Sequence, residues 1–367
     1  MKKFILFTLS ALFLFGIAAC VPRETDETDE MAKIAMITDY GDIDDESFNQ
    51  GTWEGLVSYS QEHGVDIEYY RPADVSDADY IDSIELAIEQ GYEIIVTPGF
   101  MFERAVYEMQ MEYPDITFIL LDAQPKDADN QAHVADNTLA IFYNEHESGF
   151  LAGYAAVLDG FRDFGYMGGI AVPAVVRFGV GFIAGVYFAA HQEDVVINFP
   201  DNRYDYLGTF APGPAVETQA AGWFDDGTEV IFVAAGGAGL SVMSAAEDTD
   251  NWMIGVDVDQ SGLSDKVLTS AMKALAASVH LALDAYYFDE DGFPGGETWY
   301  LGADNDGVAL PMDTSRFTTF EQADYDTILG MLADGTVEVP ATYDDLVAFL
   351  TDLGIEGLLE IEKDTVE

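Results

Sequence analysis

Short apolar runs rich in β-favouring residues recur along the chain at regular intervals. Longer segments with apolar positions at helical spacing separate them. The runs cover 34–39, 67–72, 93–99, 118–122 and 133–143, and the helical segments 47–62, 77–90 and 102–112. Strands that are apolar on both faces indicate a parallel sheet covered by helices on both sides. The right-handed crossover rule then leaves a doubly wound sheet. After Glu145 the alternation restarts, with a helix over 147–161, a strand over 164–171 and a helix over 174–191. Strands follow at 195–200, 229–237 and 251–259, with helices at about 214–225 and 240–248 between them. The pattern therefore predicts an α/β chain of two Rossmann-like lobes, with the first crossing near 144–147. Residues 267–288 and 297–311 are expected to cross again, and helices at 320–335 and 342–353 to finish the second lobe. Lobe 1 is thus expected at 33–145 with a return segment near 275–305, and lobe 2 at 146–274 and 306–360.

The first residues depart from this alternation. "MKK" is followed by an apolar run and then by the small residues "AA" before Cys20. That is the order of a secretory signal peptide, expected over 1–19. "GIAAC" resembles the lipobox of bacterial lipoproteins, so Cys20 is expected to carry a lipid that tethers the chain without a spanning helix. Residues 20–32, polar and acidic, read as the tether. Cys20 is the only cysteine, which excludes an intramolecular disulfide and any multi-cysteine metal site.

Charge narrows the partners. The formal net charge is −54 with only 14 Lys and Arg, so binding to nucleic acid is excluded by repulsion from its phosphates. A hydrophobic fraction of 49% rules out a disordered acidic chain, and the charge must lie on the surface of a packed globule. Such a surface is expected of a protein from a high-salt environment, where counterions screen self-repulsion.

In doubly wound sheets ligands collect beyond the carboxyl ends of the strands. Here those ends read "TDYGDIDDESFN", "TPGF" and "LLDAQP" in the first lobe, and "GGIAVPAVVRF", "AAGGAGLS" and "GVDVDQSG" in the second. Carboxylates, glycines and aromatic rings gather there, as in a cleft between two lobes. "AAGGAG" lacks the full dinucleotide-loop spacing, and its glycines suit close backbone approach. The five histidines are widely spaced, and there is no nucleophile elbow, P-loop or HExxH, so the chain is not read as an enzyme and no cofactor is implied.

Several of these stretches, in order, resemble the basic membrane protein (BMP) family of substrate-binding lipoproteins, which includes purine nucleoside receptors of ABC importers. They include "ITDYGDIDDESFNQGTWEGL", "NEHESGFLAGYAA", "GYMGGIAVPAVVRFGVGFIAGV", "AAGGAGLSVMSAA", "IGVDVDQSG" and "VLTSAMK". The resemblance implies a type I periplasmic-binding-protein fold, two lobes joined by a multi-strand hinge. It implies a nucleoside ligand and an ABC permease and ATPase as partners. It also implies a site. Asp39 matches a ligand-contacting carboxylate, Phe48 one stacking ring with Asn49 beside it, and Asp122 a carboxylate facing the base. Gly236 matches a backbone contact near the ribose, and Asp257 with Lys273 the ribose clamp. Phe210 is the candidate for the second ring. The chemistry is consistent: rings stack on a base at about 1–3 kcal/mol, and carboxylates accept from hydroxyls and N–H groups. In "DIDDES", Asp42, Asp44 and Glu46 are expected at the solvated surface, and Asp45 or Ser47 as a helix cap. Trp53 is expected to pack. Two other readings stay open: the same fold binding a sugar or other small polar metabolite, and a sensory surface lipoprotein without transport.

Overall fold

The computed structural model describes residues 31–355. Cys20, the expected signal peptide, most of the tether and the end of the expected second lobe lie outside the described residues. The first sheet takes β1 (Ile34–Ile37), β2 (Ile67–Tyr70), β3 (Ile94–Pro98), β4 (Thr117–Leu121) and β5 (Thr138–Tyr143) from the first part of the chain. Helices α1 (Phe48–His63), α2 (Asp77–Glu89) and α3 (Glu103–Glu112) connect the first four strands. The second sheet takes β6 (Phe164–Gly168), β7 (Tyr204–Tyr206), β8 (Val230–Ala234), β9 (Trp252–Asp257) and β10 (Val267–Lys273). Its helices begin with α4 (Glu145–Leu158), α5 (Pro173–Glu193), α6 (Pro214–Asp225) and α7 (Gly239–Thr249).

After β10 the chain returns to the first lobe. Helix α8 (Leu275–Tyr287) packs on α1, and β11 (Thr298–Leu301) pairs in parallel with β5. It then passes back to β12 (Val308–Ala309), which pairs antiparallel with β10, and to α9 (Gln322–Ala333) and α10 (Tyr343–Asp352). The sheet orders are β11-β5-β4-β3-β1-β2 and β12-β10-β9-β8-β6-β7. The fold is thus two α/β lobes, the first built on a parallel sheet and the second on a parallel sheet with one antiparallel edge strand, and the chain passes between them three times. Hydrogen bonds tie the passages together: Ser148 Oγ donates to the Met272 carbonyl at 3.0 Å, and the Ala303 N–H donates to Glu147 Oε2 at 2.7 Å.

Within the second lobe, α4 and α5 pack through a seam of glycines. A Cβ at Gly149 would overlap the carbonyl of Phe178, one at Gly181 that of His146, and one at Gly185 that of Phe150. Only hydrogen fits at those positions, so the two helix backbones lie in direct contact. By length and composition α5 alone among the described residues could cross a membrane. Its apolar surface is instead covered by α4, α10 and the second sheet, as in the core of a large globule.

One expected strand is corrected. Residues 195–200 do not form a strand and make a single bridge, Asp163 with Asn198; the edge strand is Tyr204–Tyr206. The run "VVINF" is apolar because Phe199 packs into the core, while Val196 is exposed. The fifth strand is also shorter than the expected 133–143, starting at Thr138.

Candidate functional site

Between the lobes lies a cavity of about 310 Å³, at the lower end of the range for small-molecule sites. Asp39, Phe48, Asn49 and Asp122 line it from the first lobe, and Phe210, Gly236, Asp257 and Lys273 from the second. The geometry therefore brings all eight expected site residues to one space. Each follows or ends a strand, or opens the helix after one.

Lys273, the last residue of β10, is the centre of charge. Its ammonium lies 2.6 Å from Asp122 Oδ2, 3.4 Å from Asp257 Oδ1 and 3.4 Å from Glu145 Oε1. It also sits 4.4 Å from the centroid of the Phe48 ring and 5.2 Å from that of Phe178, within cation–π range. Burial works against the ammonium, and the three carboxylates outweigh it, holding Lys273 charged above the ordinary lysine range.

The carboxylates differ in their surroundings. Burial pushes Asp122 up to about 7, because Lys273 is shared three ways and offsets only part of the desolvation. Burial also works against the charge of Glu145, but Arg177 and Lys273 prevail and hold it well below the usual carboxylate range. Asp39 is raised by burial, opposed by the Gly41 N–H and by Asn49, whose Nδ2 donates to Asp39 Oδ1 at 2.8 Å. Asp122 and Asp257 both hold a left-handed backbone, at φ 61° and 66°. That conformation is uncommon outside glycine, tolerated by Asp, and typical of constrained sites. It turns each chain sharply at its strand end, with the carboxylate in the cleft. Asp122 Oδ1 and Asp257 Oδ1 are buried and receive no hydrogen bond among the described residues. The site is thus rich in acceptors and suits a ligand that presents hydroxyls or N–H groups.

The rings come from opposite lobes. Phe48 opens α1, while Phe210 follows β7, its carbonyl accepting from the Ala238 N–H at 2.8 Å. Tyr40 meets Phe210 edge-on, with centroids 5.9 Å apart, across the cleft. Gly236, at φ 52°, lies beside Phe210.

The segment after β1 departs from expectation in part. Asp42 and Asp44 also line the cavity, Asp44 while exposed, and Asp42 pairs with Arg71 at 2.5 Å. Asp45 caps α1, accepting from the N–H groups of Asn49 and Gln50 at 3.1 and 3.0 Å; burial raises it to about 6. Ser47 is thereby free of capping, and its hydroxyl donates to Asp257 Oδ2 at 2.5 Å. Beside it, Gln260 Nε2 donates to the Glu46 carbonyl at 2.6 Å. Trp53 packs against Tyr69 and is not a lining residue.

Sequence reasoning missed Tyr40, Phe178, Glu145 and Arg177. The signal for Glu145 is present, since it follows the fifth strand at "NEHESGF", a strand end where such sheets collect chemistry. Arg177 carried no local signal, because its partner lies 32 residues away on another helix.

Comparison with known proteins gives a consistent result. The family model described as "ABC transporter substrate-binding protein PnrA-like" matches residues 32–338. The chain is 30% identical over 346 residues to the ABC transporter nucleoside-binding protein BmpA of Lactococcus lactis, covering 86% of this chain and 93% of that protein. It is 29% identical over 370 residues to a CD4+ T-cell-stimulating antigen of Listeria monocytogenes, covering 92% and 99%. A solved ABC transporter solute-binding protein from Aeropyrum pernix shares the fold, with a TM-score of 0.75 at 19% identity over 88% of this chain and 98% of that one.

Proposed function

The chain belongs to the PnrA-like family of ABC transporter substrate-binding proteins, and from that premise we propose that it captures a nucleoside, specifically a purine nucleoside, between its lobes and delivers it to an ABC importer. As a member of that family it is a binding protein and not an enzyme. The observation that carries the nucleoside reading is the presence of two rings from opposite lobes beside carboxylate oxygens that receive no hydrogen bond among the described residues, around one lysine. A flat base fills the space between Phe48 and Phe210, and the sugar hydroxyls supply the donors that Asp257 accepts, with Lys273 donating in return. Asp122 faces the base, Asp39 with Asn49 closes the first-lobe side, and the Gly236 backbone lies near the ribose. The name of the Lactococcus relative adds support.

The anchor belongs to the same proposal. Cys20 carries the lipid, residues 21–32 act as a leash, and the folded body stands outside the cytoplasmic membrane beside its permease and ATPase. The acidic surface suits high salt. Denaturing the purified protein and identifying what it releases by mass spectrometry tests the ligand class. A purine nucleoside supports the reading; a sugar in its place overturns it.

A further inference from the structure

Behind the cavity wall, Lys273 meets a carboxylate that does not line the cavity. Asp122 and Asp257 are lining residues, whereas Glu145 is fully buried behind them. Glu145 Oε2 accepts from Arg177 Nε at 2.5 Å, and its Oε1 lies 3.4 Å from Lys273 Nζ. We infer that Glu145 and Arg177 are positioning residues, which hold Lys273 from behind and set how much of its charge is left for Asp122 and Asp257. This rests on the reading of the cleft as the ligand site.

The distances form an alternating chain of charges. Arg177 to Glu145 is short at 2.5 Å, Glu145 to Lys273 is long at 3.4 Å, and Lys273 to Asp122 is short at 2.6 Å. Glu145 spends its charge mainly on Arg177, so Lys273 is turned forward to the cleft. Were Arg177 absent, Glu145 would compete for Lys273 with Asp122. The location supports the same role. Glu145 is the first residue of α4, where the helix dipole favours an anion, directly after the first passage between lobes. Lys273 ends β10 directly before the second passage. The pair thus joins two of the three connecting segments, and the glycine seam between α4 and α5 keeps Arg177 within reach. Buried charges need such pairing, since an unmatched one is costly.

The charged and titratable groups facing Asp122 are Lys273 from β10, Glu145 from α4, Arg177 from α5 and Tyr143 from β5; Asp257 from β9 shares Lys273 with it. Two substitutions therefore act with opposite sign. Glu145→Gln removes a competitor for Lys273 and a like charge near Asp122, so Asp122 ionises at lower pH. Arg177→Met frees Glu145 to draw Lys273 away, so Asp122 ionises at higher pH. A purely structural role gives no such pair of signs.

The test uses the full chain with carbon-13 at lysine side chains, the Lys273 signal being assigned by its loss in Lys273→Arg. Followed against pH, this signal is expected to inflect near 7 in the parent protein as Asp122 titrates. The midpoint should fall by about one pH unit in Glu145→Gln and rise in Arg177→Met. The double variant Glu145→Gln with Arg177→Met removes both charges together, covers the case in which a single variant fails to fold, and should lower the midpoint. Unmoved midpoints in Glu145→Gln and in the double variant overturn the inference, as do shifts of the same sign in the two single variants. If the parent protein binds no nucleoside, the nucleoside reading fails while the Lys273 titration still decides this one.

Discussion

The Ser47 hydroxyl donates to Asp257 Oδ2 at 2.5 Å, joining the start of α1 in the first lobe to the end of β9 in the second. Both residues are buried, and Asp257 is also a proposed ligand group. The bond requires the two lobes to be together, so on the proposed function it would help hold them around a bound nucleoside. Ser47→Ala is expected to speed nucleoside dissociation roughly tenfold, from the loss of a hydrogen bond to a charged group. Association should change little. Stopped-flow fluorescence measures both, and an unaltered dissociation rate contradicts a latch at this position.

Phe210 is the ring contributed by the second lobe. Phe210→Ala should cost about 1–3 kcal/mol of binding by loss of stacking. Phe210→Leu keeps apolar contact and loses the ring face, so it should recover only part of that. If the leucine variant binds as the parent does, Phe210 supplies burial and not stacking.

The raised carboxyls give the ligand-free protein an unusual pH dependence. Asp39, Asp45 and Asp122 are shifted upward from 3.8, Asp45 to about 6 and Asp122 to about 7. Between about pH 4 and 7 the folded state therefore holds protons that the unfolded chain has released, and stability falls as pH rises through that window. Glu145 and His146 work in the opposite sense. The depressed carboxyl of Glu145 contributes stability lost only below 4.5. Burial lowers His146 to about 4, so it costs stability as pH falls below 6.5; the raised carboxyls outnumber it in that window. The melting temperature should thus drop between pH 5 and pH 7.5 at fixed salt. Repulsion within a chain of net charge −54 adds to the same trend and is screened by salt. A melting temperature that is flat in pH argues against the raised carboxyls, and one that is flat from dilute to molar salt argues against the high-salt reading of the surface.

The α4–α5 seam sets the positions of Glu145 and Arg177 behind the cavity and of Phe178 in its wall. Gly185→Ala should gain up to about 1 kcal/mol of helix propensity. A Cβ there would overlap the Phe150 carbonyl, and forcing the helices apart costs about 1–3 kcal/mol. Net destabilisation is therefore expected, visible as a lower denaturant midpoint. A midpoint equal to or above that of the parent shows that the seam has slack.

The strand-and-helix alternation was legible because a doubly wound sheet writes its burial into long apolar runs such as "IIVTP" and "TFILL". The edge strand Tyr204–Tyr206 was not, since three residues give too little pattern and the nearby "VVINF" gives a stronger false one. In the site, the carboxylates Asp39, Asp122 and Asp257 lie in stretches that could be read because strand ends are where such sheets collect chemistry. The resemblance singled them out and added Phe48, Phe210 and Lys273. The roles of Asp45 and Ser47 could not be divided from sequence: both can cap α1, and only the approach of Asp257 from the other lobe decides which hydroxyl or carboxylate is spare. Arg177 stayed hidden for the same reason, its pairing with Glu145 being a product of how two helices pack.

Calorimetric titration of the protein lacking residues 1–31, at molar salt, with inosine, guanosine, adenosine and a free sugar separates the ligand classes. Saturable one-to-one binding of a purine nucleoside is expected, lost or weakened more than tenfold in Asp257→Ala. Binding of the sugar with no response to any nucleoside, or nucleoside binding indifferent to Asp257→Ala, contradicts the proposed site.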